Sequence, residues 1–345
     1  MNERPAPSAL YDWSMALASL WLSGGMFIDT WHHFHETIET FFEPGHAVLY
    51  AGLLASYVFT GIAVFVFRRR GYALRFALPP GYELTVAGLA VTMIGGMLDM
   101  IKHQFWGFER TFDALVSPSH LVIGAGMFLI ITGPIRSAFL RKAAPRTLSG
   151  QLPMVLAVAS MMELLHWGTQ FIFHSNAELM NAPVTPTSMP HDVLTLLSIE
   201  YYKQGIGLLS VLIQSILLAG FALYVVRRLR LAPGGLVTLL LVGNVFIAAA
   251  QANYSGQFWD AVAASVAAGV CGELIAVGPD TVSEMRWSAF AFAVPAVYWI
   301  VLLSVLGMTM GGLWWTPDII VGSILYAGFT GLFVNSIAAT RPAGA

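Results

Sequence analysis

The sequence predicts an all-α protein, a polytopic membrane bundle of about nine transmembrane helices arranged as repeated helical hairpins. Three observations carry this. Of 345 residues, 57% are hydrophobic and 10% charged, against roughly 25% charged in soluble domains. Mean hydropathy is +0.71. Apolar runs near the ~20 residues that cross a bilayer as a helix recur along the whole chain, and an open chain satisfies its backbone in lipid only by being helical.

The first hairpin is read at 12–34 and 44–67, ended by Arg68, Arg69 and Arg70. The apolar run of its first helix lacks a small-residue cleavage site, so this helix is expected to stay in place. A connector with Pro79 and Pro80 leads to the second hairpin, 83–105 and 118–135, ended by Arg136, Arg141, Lys142 and Arg146. A third begins near Gln151, runs to about 173, and returns through 191–226 to Arg227, Arg228 and Arg230. That return is too long for one straight span, and Glu200, Tyr201, Tyr202 and Lys203 mark an interfacial first part. Further spans fall at 236–252, 287–308 and 318–338. The segment 258–277, with Asp260 and Glu273, reads either as a weak span or as a helix lying in a loop. The chain is thus expected to form one membrane domain with internal repeats at about 12–70, 83–146 and 151–230 and extra spans over 234–338.

Charge orients the bundle. Twelve of the 17 Lys and Arg residues fall on the side of the arginine clusters. The positive-inside rule then places that side in the cytoplasm of a bacterial inner membrane. All nine histidines fall towards the opposite, extracytoplasmic face, and none follows His191. A net charge of −2 argues against a nucleic-acid partner. The single Cys271 excludes an internal disulfide and a thiolate-rich metal site, leaving imidazole and carboxylate as ligands.

Those ligands recur in a pattern. Asp29 and His33 are four apart and share a helix face, with His46 two residues after Pro44, in the first turn of the returning helix. Asp99, His103, Pro118 and His120 repeat the arrangement, and PSHLVIGAG at 118–126 matches PGHAVLYAG at 44–52 at Pro, His, Val, Ala and Gly. Intramembrane ionisable residues need a partner or a bound ion, so both triplets are candidate metal ligands. The alternative is a hydrogen-bonded network in which each carboxylate orients a histidine. Glu163, His166 and His191 form a weaker third copy, candidates for additional ligation or for structural pairing. Glu39 and Glu109, each ten residues after its aspartate, are candidates to fix an imidazole from outside the ligand set, or are solvated loop acids. The aromatic residues nearby (Trp31, Phe34, Phe41, Phe42, Phe105, Trp106 and Phe108) suit the membrane interface and equally the wall of an apolar pocket. Met93, Met97, Met100, Met161 and Met162 suit a helical core and equally a path for cuprous ion.

The motif D-x3-H-x5-E-T-x-F-x-P-x-H, residues 29–46, resembles the copper-binding segment of the C subunit of copper-dependent membrane monooxygenases, the particulate methane and ammonia monooxygenase family. That subunit carries Asp-x3-His-x12-His with a proline two residues before the second histidine, a spacing Asp29, His33, Pro44 and His46 meet without a gap. A second family set begins Asn-x3-His, and Asp99 with His103 is similar to it, with Asp for Asn. The resemblance covers residues 29–126; the third hairpin and the C-terminal spans have no counterpart in it. It implies copper, with zinc or iron open on ligand chemistry alone. It further implies a monooxygenase, or its metal-binding subunit, that activates dioxygen and hydroxylates a small hydrophobic substrate delivered through the lipid bilayer. A quinol or other reductant and further membrane subunits are its expected partners. No residue is assigned a catalytic role. The competing class is a non-enzymatic copper or zinc binding or transport protein.

Overall fold

The computed structural model describes residues 4–35, 43–107, 113–141, 145–172, 193–251, 255–277, 282–309 and 311–339. These are helical throughout, with no strand among them: α1 (Ala9–His35), α2 (Pro44–Arg69), α3 (Glu83–Trp106), the single turn α4 (Asp113–Val116), α5 (Pro118–Phe139), α6 (Leu148–Gly168), α7 (Val193–Arg228), α8 (Gly235–Gln251), α9 (Ser255–Ala276), α10 (Glu284–Thr309) and α11 (Pro317–Ala339). Eight of them, α2, α3, α5, α6, α7, α9, α10 and α11, are long and apolar enough to cross a membrane. The long α1 and the shorter apolar α8 complete the set of extended helices. In α7 the qualifying stretch is Tyr201–Arg228.

The chain divides into two compact units, one ending at Gly168 and the other beginning at Thr169. The segment read as a third hairpin is therefore shared, α6 belonging to the first unit and α7 to the second.

The first unit is built from two hairpins, α1 with α2 and α3 with α5, with α6 packed on α1 and α5. Its seams are made by glycine. A Cβ on Gly25 would lie 2.7 Å from the Cα of Leu49, and one on Gly52 would lie 3.1 Å from the backbone nitrogen of Leu22. The second hairpin repeats both contacts: Gly95 against the nitrogen of Ile123 at 2.8 Å, and Gly126 against the nitrogen of Thr92 at 2.5 Å. In lipid, close backbone approach across small residues is a main source of helix–helix attraction. The four contacts fall at equivalent places in the two hairpins. Outside the seam, α2 exposes Leu54, Val58, Ile62 and Phe65, the apolar outer surface that a bilayer requires.

At the arginine-rich end, Asp12 is buried in an ion pair with Arg141 and accepts a hydrogen bond from the Tyr82 hydroxyl at 2.6 Å. Arg136 donates to the Gly81 carbonyl at 2.7 Å. These bonds tie the start of α1 to the ends of the second hairpin.

In the second unit, α9 is a full member of the bundle. It runs antiparallel along α8, with Gly269 against Val237 and Gly272 against Leu236, and packs on α10 as well. The Glu273 carboxylate accepts from the backbone nitrogens of Gly234 and Leu236, both at 2.9 Å, and of Val237 at 3.2 Å. It thereby satisfies the free N–H groups at the start of α8. Arg227 at the end of α7 donates to Asn335 near the end of α11 at 2.6 Å, so these two helix ends lie together.

Candidate metal centre

Four helix termini of the first unit converge. Asp29 and His33 sit one turn apart near the end of α1, and Asp99 and His103 one turn apart near the end of α3. Pro44 and Pro118 occupy the first turns of α2 and α5, where a missing N–H costs nothing. This leaves His46 and His120 on the opening turn of each returning helix, facing the aspartates. All six residues singled out as ligands from the sequence come to one place.

In the first copy, Asp29 Oδ2 lies 3.8 Å from His33 Nε2, and Asp29 Oδ1 lies 3.7 Å from His46 Nε2. In the second, Asp99 Oδ2 lies 3.1 Å from His103 Nε2, and Asp99 Oδ1 lies 3.2 Å from His120 Nε2. An ion with tetrahedral bonds of about 2.0–2.2 Å holds its ligand atoms about 3.3–3.6 Å apart. The two copies therefore bracket that spacing. They also join: ligand atoms of Asp29, His33 and His46 all lie within 4.8 Å of one another, and so do those of His46, Asp99 and His103. The ring of His103 is 6.2 Å from those of His33 and His46.

Hydrogen bonding at the second copy is informative. His120 Nδ1 faces the Ala114 carbonyl, and His103 Nδ1 faces the Gly107 carbonyl at 3.3 Å. A carbonyl only accepts, so each Nδ1 carries the hydrogen. In a neutral ring Nε2 is then a lone pair, and both lone pairs point at the oxygens of one buried carboxylate. Acceptors facing at that range need a cation between them. Either each ring takes its own proton, or a metal ion lies between nitrogen and oxygen, and the atoms of Asp99 and His103 converge for one together with His46. In the first copy, Asp29 Oδ1 is a buried carboxylate oxygen that accepts no hydrogen bond. A donor set of imidazoles and carboxylates with an unsatisfied buried oxygen fits copper, zinc or iron.

A cavity of about 60 Å³ opens on the cluster, lined by Asp29, His33, His46, Asp99 and His120 together with Tyr50 and Trp167. Met26, Leu49, Ile123 and Met127 make its apolar wall. It holds a few water-sized molecules. Trp167 donates to Thr30 at 2.7 Å and meets the ring of His120 edge-on at 6.3 Å. Tyr50 lies roughly parallel to His46, ring centres 6.2 Å apart. Of the aromatic residues that suited either the membrane interface or a pocket wall, Trp31, Phe105 and Trp106 are exposed. Of the methionines, Met93, Met97 and Met100 face outward while Met161 and Met162 are core; the cavity uses Met26 and Met127.

Glu163 and His166 are fully buried on α6 and belong to neither converging group. His191, Glu39 and Glu109 lie outside the described residues. Sequence reasoning missed Tyr50, Trp167 and Ser119. Only the last two had a signal there: Trp167 directly follows His166, and Ser119 stands inside the Pro-x-His motif.

Comparison with protein-family models, with curated proteins and with solved structures finds no match.

Proposed function

We propose that Asp29, His33, His46, Asp99, His103 and His120 form a metal centre with room for two ions, and that the protein is a copper-dependent membrane monooxygenase or the metal-binding subunit of one. The observation that carries the metal reading is the pair of Nδ1-anchored imidazoles aimed at the Asp99 carboxylate. The copper and oxygenase reading rests on the Asp-x3-His-x12-His resemblance, and the cavity is consistent with it. When bound, copper would supply dioxygen activation at a position left open by the protein ligands.

The chain's own residues have definable parts. Asp99, His103 and His46 hold one ion, with His120 facing the other Asp99 oxygen. His46 stands between the two groups, and Asp29 with His33 completes the other side. Met26, Leu49, Ile123 and Met127 keep the space beside the ligands dry and admit a small apolar molecule rather than a polar one. The substrate would reach this space from the bilayer, and a quinol or another reductant would supply electrons, with further membrane subunits as partners.

Metal transport, the competing reading, needs ligands continuing through the bundle. Below the cluster, the seams of the first unit present Leu22, Gly25, Leu89 and Thr92. At the far end, Asp12 is engaged by Arg141 and Tyr82. This favours a resident ion over a travelling one.

The test has two stages. Elemental analysis of protein purified without added metal is expected to find copper at or above one equivalent, and the His33→Ala plus His103→Ala variant is expected to lose it. Oxygen uptake by the copper-loaded protein is then measured with a quinol donor and a panel of small hydrocarbons. Retention of wild-type metal content by the double variant sinks the ligand assignment. Absence of copper-dependent uptake, with metal flux in proteoliposomes, sinks the enzyme reading.

A further inference from the structure

The second unit buries an acid that the metal centre does not use. We propose that Asp260 is a reversible proton-binding site, a carboxyl group that takes up and releases a proton inside the helical bundle of that unit. The inference stands apart from the metal reading and needs no metal ion.

Asp260 lies in the apolar stretch Phe258–Ala276 of α9 and is 1% exposed. Both of its carboxyl oxygens are buried, and neither has a hydrogen-bond partner. The buried residues that follow it on α9, Ala261, Ala264 and Ala268, offer no side-chain donor. Asn244 on α8 turns its amide to the Leu240 carbonyl at 2.7 Å. The two helices packed on α9 bring no countercharge to this level. Along its whole length α8 carries no charged side chain. On α10 the charged residues are Glu284 and Arg286, at the end beside Glu273, and the remaining titratable group is Tyr298, midway along the helix. Asp260 also belongs to neither group of converging metal ligands, so a proton rather than a metal cation is the ion it fits.

The same helix shows what an ionised acid requires. Glu273 lies about 20 Å along α9 from Asp260. It accepts three backbone N–H groups at the start of α8, which are partners for a full negative charge. Asp260 has no such partners. A bare carboxylate in an apolar bundle is costly enough that the group takes a proton instead, and the O–H so gained is a hydrogen-bond donor. Ionisable residues inside membrane helices mark ion and proton sites for this reason. Reversibility follows from position. Asp260 is five residues into α9, about 7–8 Å from its first residue, so a proton has less than two turns of helix to cross from that end.

The experiment follows Asp260 directly, in the full chain held in detergent. A lipid-soluble carbodiimide adds to a protonated carboxyl, and peptide mass spectrometry reads where the adduct sits. It is expected on Asp260 and not on Glu273, with a yield that falls as pH is raised and does not respond to Na⁺ at constant pH. Infrared titration of wild type against Asp260→Asn, each with a melting curve to establish that it is folded, isolates the carbonyl stretch of one carboxylic acid. That band should shift on deuteration, disappear as pH rises and return when pH is lowered again. Neither adduct nor band at Asp260 would overturn the inference, because the group is then an ion throughout. A band that persists at every pH where the protein is folded would overturn it as well, leaving a fixed structural acid. Loss of the adduct or the band with Na⁺ at constant pH would overturn it in favour of a metal cation. The carbodiimide measurement needs no variant, so it decides even if Asp260→Asn does not fold, and none of these outcomes bears on the metal centre.

Discussion

Tyr50 shows how the chain around the ligands is constrained one side chain at a time. Its ring lies against His46, and its hydroxyl occupies the place where a Cβ of residue 96 would be, 2.7 Å from that ideal position. Gly96→Ala must push the ring towards His46. The expected result is a loss of about 1–3 kcal/mol in stability, as for other overpacked cores, together with a changed absorption or EPR signal in the Cu²⁺-loaded protein. A variant with wild-type melting and spectrum would mean that α3 yields there and that Tyr50 does not buttress the histidine. At this scale the candidate ligands were legible because chemistry and spacing coincide. Asp and His four apart share a helix face, and Pro-x-His puts the second imidazole on the first turn of the return. The carbonyls of Gly107 and Ala114 were not legible, since every residue carries one and only the fold decides which is near.

Among the helices, the repeated glycine seam makes the sharpest demand. Gly25 and Gly95 face the backbone of α2 and α5 at equivalent places, whereas a Cβ on Gly61 meets nothing within 4 Å. Gly25→Ala and Gly95→Ala are each expected to destabilise the protein by about 1–3 kcal/mol through forced separation of the helix pair, with Gly61→Ala near neutral. Thermal unfolding in one detergent, run on all three, checks this. Equal melting temperatures would show that the seam is not tightly packed. The same helices explain what the sequence left undecided. The 258–277 segment was ambiguous because two acids diluted its hydropathy. In the structure Glu273 caps α8, so an acid that argued against a span is one of the contacts that hold α9 in the bundle.

For the molecule as a whole, the arginine clusters after α2 and α7 set an orientation. Arg69→Cys and Arg228→Cys, each in a Cys271→Ser background, are expected to react with a membrane-impermeant thiol reagent only from the cytoplasmic side. Labelling of either from outside intact cells would invert the expected orientation and with it the expected side of the candidate metal centre. All six candidate ligands belong to the first compact unit, so the whole candidate centre lies within the repeat that the sequence displays.

The sequence by itself determined the helical membrane class, most helix boundaries to within a few residues, the duplication, and the six candidate ligands. These follow from local quantities: apolar length, helical periodicity and the fixed reach of an i to i+4 pair. Tertiary structure decided that both copies meet in one cluster rather than two separate sites, that His46 stands between them, and that Ser119 donates to Asp99 while Gly45 packs against Asp29. Those facts depend on how closely two backbones approach, a distance set by packing across the whole first unit rather than by any single stretch of chain.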